Sequence, residues 1–136
     1  MILLDTVVLS ELRKTKPNAK VMAYLQAQAE ETTFISVLSV AEIEAGIERQ
    51  RNLNPGFAME LDQWLMTLEL QFSHCILPVT PAIAKLWGRL CVQTGNKGAD
   101  NLIAATALCH NLTIVTRNVK HFEPTGVSVV NPFAPV

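Results

Sequence analysis

The chain has 136 residues, of which 49% are apolar and only 17% charged, and its formal net charge is −1. This composition excludes a disordered or low-complexity chain, and the length suits one domain with a single core, residues 1–136. It also excludes a protein that grips nucleic acid by bulk positive charge, so any RNA site must be local or completed by a second copy.

No apolar run approaches the roughly 20 residues of a bilayer span, and no basic segment leads into a long apolar one near Met1, so no membrane association and a cytoplasmic location are expected. Cys75, Cys91 and Cys109 lack CxxC spacing and sit among apolar neighbours, which reads as buried free thiols rather than zinc ligands.

Met1–Leu4 is too short for a helix and reads as a strand buried on both faces, with Asp5 at its carboxyl end. A helix is expected to start near Ser10, and Pro17-Asn18 stops it and caps a second one that aligns Val21, Met22 and Leu25. The β-branched and aromatic run Thr32–Ser36 predicts a second strand. Ser39 is the expected cap of the next helix, with Glu42 in its first turn. That helix turns Val40, Ile43 and Ile47 inward and Glu44, Glu48 and Arg49 outward until Asn54-Pro55-Gly56 ends it, and another runs from about Phe57 to Gln71. Ile76–Val79 is a strand candidate that Pro78 demotes to an edge strand or an extended connection, and Thr80-Pro81 opens a helix through Leu90.

After a polar loop from Thr94 to Gly98, Asp100 stands as the expected N-cap of a helix reaching His110. Leu112–Thr116 then predicts a strand, Asn118–Phe122 a helical turn, and Val127–Val130 a last strand. Alternating strands and helices imply an α/β fold, a three-layer α/β/α sandwich around a central, mainly parallel sheet, with ligands at the carboxyl ends of its strands.

Asp5 ending one strand, Glu42 in the helix after another, and Asp100 at a third helix start can converge on one rim. Grouped carboxylates are costly to desolvate unless a cation neutralises them, and hard oxygen donors suit Mg²⁺ or Mn²⁺. Such an ion in a carboxylate cluster favours phosphodiester hydrolysis. Taken singly, each residue also has a plain reading, as a cap, a first-turn acid or a turn former.

Leu3-Leu4-Asp5-Thr6, Ser36 with Ala41-Glu42-Ile43 and Gly46, and Asp100 with Leu102-Ile103-Ala104-Ala105-Thr106-Ala107 resemble the PIN-domain toxins. The likeness continues through Thr116-Arg117-Asn118 and Phe122 to Val130-Asn131-Pro132-Phe133, in the manner of the VapC and FitB branch. The resemblance implies a metal-dependent endoribonuclease, the toxin of a toxin–antitoxin pair, using Mg²⁺ or Mn²⁺. It implies that a cognate, VapB-like antitoxin restrains the enzyme, and that the chain forms a homodimer and cuts RNA, with tRNA among the candidates.

By the same resemblance Asp5, Glu42 and Asp100 are the catalytic and metal-holding residues, with Thr6, Ser36, Thr116 and Asn118 in support. A further acidic position of the family falls on Asn118, and a variant acid falls on His121, read here first as an exposed side chain. Val7 replaces an asparagine common after the first aspartate. Arg13, Lys97 and Arg117, with Lys14 and Lys120 beside them, are the candidate phosphate contacts, and Glu11 is a minor candidate ligand. The helix carrying Trp64, Leu65, Met66 and Leu68 is the expected source of dimer packing.

Two other α/β readings are weaker: a receiver domain lacks its adjacent acidic pair, and a nucleotide-binding domain lacks a glycine-rich loop after the first strand. The alternative that survives is a catalytically impaired PIN fold serving as an RNA- or protein-binding module.

Overall fold

The computed structural model describes residues 1–134. Its elements are β1 (Ile2–Leu4), α1 (Thr6–Leu12), α2 (Ala19–Gln26), β2 (Thr33–Ser36), α3 (Val37–Leu53), α4 (Pro55–Gln71), β3 (Ile76–Leu77), α5 (Pro81–Thr94), α6 (Ala99–His110), β4 (Thr113–Val115), α7 (Val119–Phe122) and β5 (Val129–Val130). The strands form one sheet in the order β3-β2-β1-β4-β5, every pairing parallel.

Successive side chains of a strand point to opposite faces, so the three apolar residues of β1 serve two cores. Ile2 and Leu4 pack with Val8, Val21, Ile43, Ile47, Leu65 and Leu68 of α1–α4. Leu3 packs on the other face with Ile83, Leu90, Ile103 and Phe122 of α5–α7. This is the expected three-layer sandwich, and its sheet is wholly parallel.

Several boundaries differ from the sequence reading. Helix α1 begins at Thr6, directly after β1, because the Asp5 side chain is its N-cap and accepts the Thr6 N–H at 2.8 Å. Ser36, not Ser39, caps α3 by accepting the Leu38 N–H at 3.0 Å, which puts Glu42 in the second turn. Helix α6 begins with Gly98 in the cap position, and Asp100 is its second residue rather than the cap. Helix α5 runs to Thr94, where Gly95 takes the left-handed conformation (φ 71°) that a side chain would strain.

The thiols are free, but Cys109 is exposed and the other two are half-buried, so the expected burial is only partial. Leu65 and Leu68 of α4 lie in the core and Trp64 is half-buried, leaving Met66 alone of the four exposed. Among the described residues no helix is long and apolar enough to cross a membrane.

Sheet order carries the functional consequence. The chain builds outward from β1 through β2 to β3, then crosses back to lay β4 on the other side of β1. The switch in direction therefore falls between β1 and β4, and a crevice opens at their carboxyl ends.

Candidate active site

Asp5 stands at that switch point. Its N–H donates to the Val115 carbonyl at 3.0 Å, which continues the β1–β4 ladder by one residue and fixes where the side chain emerges. The residue is only 7% exposed. One carboxylate oxygen accepts the Thr6 N–H, and the other accepts the Thr116 hydroxyl at 2.7 Å. Thr116 is locked in turn, its Oγ1 accepting the Asn118 N–H at 3.0 Å. Burial pushes the Asp5 carboxyl above its ordinary range. The bonds from Thr116 and Thr6 oppose that push, and the negative charges of Asp100 and Glu42 add to it.

Glu42 reaches the rim from the second layer. The Thr6 hydroxyl donates to Glu42 Oε1 at 2.7 Å and lies 2.8 Å from the Ser39 hydroxyl. A threonine hydroxyl has one proton, so Ser39 is the donor in its pair with Thr6, and a Ser39–Thr6–Glu42 relay holds the carboxylate. Asp100 comes from the opposite layer. Helix α6 precedes β4 and returns across the sheet, so its first turn sits over the strands' carboxyl ends. There the Asp100 carboxylate lies 3.0 Å from Nδ1 of His121.

The fold thus brings Asp5, Glu42, Asp100, Thr6, Thr116 and Asn118 to one rim. Ser36 is buried beside them and caps α3. Arg13 lies over the Phe57 ring, 5.4 Å from its centroid, and Arg117 stacks on Phe133 at 3.8 Å. Lys97 is exposed in the loop before α6, and Lys120 lines a hollow beside Asp100 and His121. Lys14 and Glu11 pair at 2.8 Å. Glu11 also accepts the Asn18 N–H at 2.7 Å, so its carboxylate ties the end of α1 to the start of α2.

Three contributors escaped the sequence reading. Ser39 was expected at a helix start and instead orients Thr6. Asn101, only 1% exposed, donates to Thr94 Oγ1 at 2.8 Å and to the Asn96 carbonyl, pinning the loop that leads into Asp100. His121 is exposed, as expected, and also pairs with Asp100, a partner that the sequence did not indicate. A polar residue inside an apolar helical stretch, as Asn101 is in Ala99–Ala107, was the one available signal.

Hard oxygen donors, mutual repulsion and the absence of any Lys or Arg ion pair to Asp5, Glu42 or Asp100 among the described residues are the chemistry of a divalent-cation site. No three His, Cys, Asp or Glu side chains among the described residues stand close enough together to form a ready ligand cage.

Comparison with known proteins agrees with this architecture. The PIN domain family profile matches residues 2–125. The plasmid stability protein StbB of Pseudomonas syringae pv. tomato is 38% identical, with 98% of this chain and 99% of that protein covered. The VapC ribonuclease Y4jK of Sinorhizobium fredii is 32% identical, with 99% of each covered. The crystal structure of FitAcB from Neisseria gonorrhoeae superimposes with a TM-score of 0.79 at 32% identity, over 99% of this chain and 100% of that one. The chain belongs to the PIN domain family, within its VapC and FitB branch.

Proposed function

We propose that this protein is a divalent-metal-dependent endoribonuclease and the toxin of a toxin–antitoxin pair. The observation that carries the reading is the buried Asp5 carboxylate at the β1–β4 switch point, raised by burial and by the charges of Glu42 and Asp100, with no basic residue to neutralise it among the described residues. Asp5, Glu42 and Asp100 would hold Mg²⁺ or Mn²⁺, in part through water. Such an ion lowers the pKa of a bound water and stabilises negative charge on a phosphate.

The protein's own contribution is orientation. Thr116 and the Thr6 N–H aim the Asp5 oxygens, Ser39 through Thr6 aims Glu42, and His121 aims Asp100, so the carboxylates do not reorganise when a phosphodiester arrives. Asn118, whose N–H holds Thr116, would offer a neutral oxygen where a further acid would add charge. A relative named as a ribonuclease and another named for plasmid stability support RNA as substrate and an antitoxin as restraint. A homodimer accords with the same branch.

The test is cleavage of structured RNA, tRNA included, by antitoxin-free protein supplied with Mg²⁺ or Mn²⁺. Asp5→Asn is expected to abolish it. Cleavage that survives this substitution, or EDTA, overturns the mechanism. A chain that binds RNA and never cuts it supports the binding-module reading instead.

A further inference from the structure

On its Glu42 side the rim continues into a groove of about 230 Å³ between α1 and α3, floored by α4. One wall carries Thr6, Ser10 and Arg13, spaced four and three residues apart and so aligned on one face of α1. The other carries Glu42, Gly46 and Arg49 at the same spacing along α3. The walls meet at the Thr6–Glu42 hydrogen bond and lead out to the two arginines, with Phe57 and Trp64 half-buried beneath.

Arg49 lies back along α3. A methyl group built on Gly46 would come 3.9 Å from the Arg49 guanidinium, so that cation faces the Glu42 end rather than extending away from it. Neither Arg13 nor Arg49 is paired with a carboxylate among the described residues, whereas Arg51, two positions further along α3, is held by Glu48 and Glu44. In a chain with a net charge of −1, two unpaired cations converge on one groove that ends at a candidate catalytic carboxylate.

We infer that this groove is the track of single-stranded RNA on one side of the scissile bond, and that Arg13 and Arg49 grip its phosphates there. The Arg49 guanidinium lies beside Gly46, four residues from Glu42 and roughly 6 Å along the helix axis, so the grip acts on a phosphate next to the one being cut. Planar, permanently charged guanidinium groups suit phosphate oxygens, and phosphate contacts set register without reading bases. The inference rests on the ribonuclease reading and adds the path of its substrate.

The experiment measures anisotropy of a labelled single-stranded RNA oligonucleotide with the full chain in EDTA, where nothing is cut, over a series of salt concentrations. Arg13→Ala and Arg49→Ala should each weaken binding several-fold and lower the log–log salt slope by about 0.7 for each phosphate no longer neutralised. Arg51→Ala should leave both unchanged. DNA of the same sequence should show the same losses, because the phosphates are shared. Arg13→Lys and Arg49→Lys keep the charge and should keep most of the salt slope, which separates lost charge from lost folding.

Unchanged affinity in the alanine variants, an equal loss in Arg51→Ala, or a loss confined to RNA overturns the inference. Normal RNA binding with loss of a protein partner assigns the arginines to that partner and overturns it too. Cleavage plays no part in this readout, so a chain that binds RNA here but never cuts refutes the nuclease reading alone.

Discussion

Asp5 carries two duties that conflict energetically. It caps α1 and fixes the β1–β4 crevice, yet its charge is buried without a basic side chain beside it among the described residues. Because its carboxyl is raised above the ordinary 3.8, the folded state binds more protons than the unfolded one from that pH up to the raised value, and stability falls as pH rises through the window. Asp5→Asn should therefore melt higher than the parent at neutral pH in EDTA, with the difference shrinking below pH 3.8 or on adding Mg²⁺. A lower melting temperature for Asp5→Asn at neutral pH would contradict this. Thr116→Val removes a hydrogen bond to a buried carboxylate, of the kind worth about 1.5–3 kcal/mol. It should cut activity by roughly tenfold or more, by the rule that 1.36 kcal/mol is a factor of ten in rate, and raise the metal concentration needed, whereas Thr116→Ser should retain both. Asp5 stood out because a carboxylate is out of place at the end of a buried strand, whereas Glu42 and Asp100 also fit ordinary helix positions and were singled out by the family resemblance. The Asp100–His121 pair was not legible, since nothing local links side chains 21 positions apart.

At the scale of elements, two serines three positions apart have exchanged the roles that the sequence suggested. Both suit an N-cap, and the choice depends on where β2 stops, which its pairing with β1 and β3 decides rather than any local propensity. The two are separable by experiment. Ser36→Ala should cost about 1 kcal/mol of stability, measured by denaturant unfolding. Ser39→Ala should leave stability closer to the parent and lower the cleavage rate, because its hydroxyl orients Thr6 toward Glu42. The α1–α2 junction carries its own pH signature. The Lys14 bond first, then the Asn18 N–H, hold the Glu11 carboxyl below its ordinary 4.5, with Arg117 adding a smaller pull. Its contribution is present above pH 4.5 and is lost as pH falls through the lowered value, so Glu11→Gln should flatten the acid limb of the unfolding curve there. The helix boundaries at Thr6 and Gly98 were misread for one reason: cap-forming residues cluster at both places, and backbone geometry selects among them.

For the whole molecule, strand–helix alternation sufficed to read the three layers, since short apolar runs and amphipathic stretches leave few alternatives once the sheet must be covered on both faces. Strand order was not legible, because it depends on long crossovers, and neither was the groove, because Arg49 in isolation looks like any solvent-facing helix residue. The parallel topology also sets when the site comes into being. Asp5 is held by Thr116, 111 positions later, and by the Val115 carbonyl, so its surroundings do not exist until β4 has docked. A ribosome makes all three acidic residues before it makes the strand that organises the first of them. During synthesis the emerging polypeptide therefore carries its acids unassembled, and a product truncated ahead of residue 113 should leave the RNA around it intact.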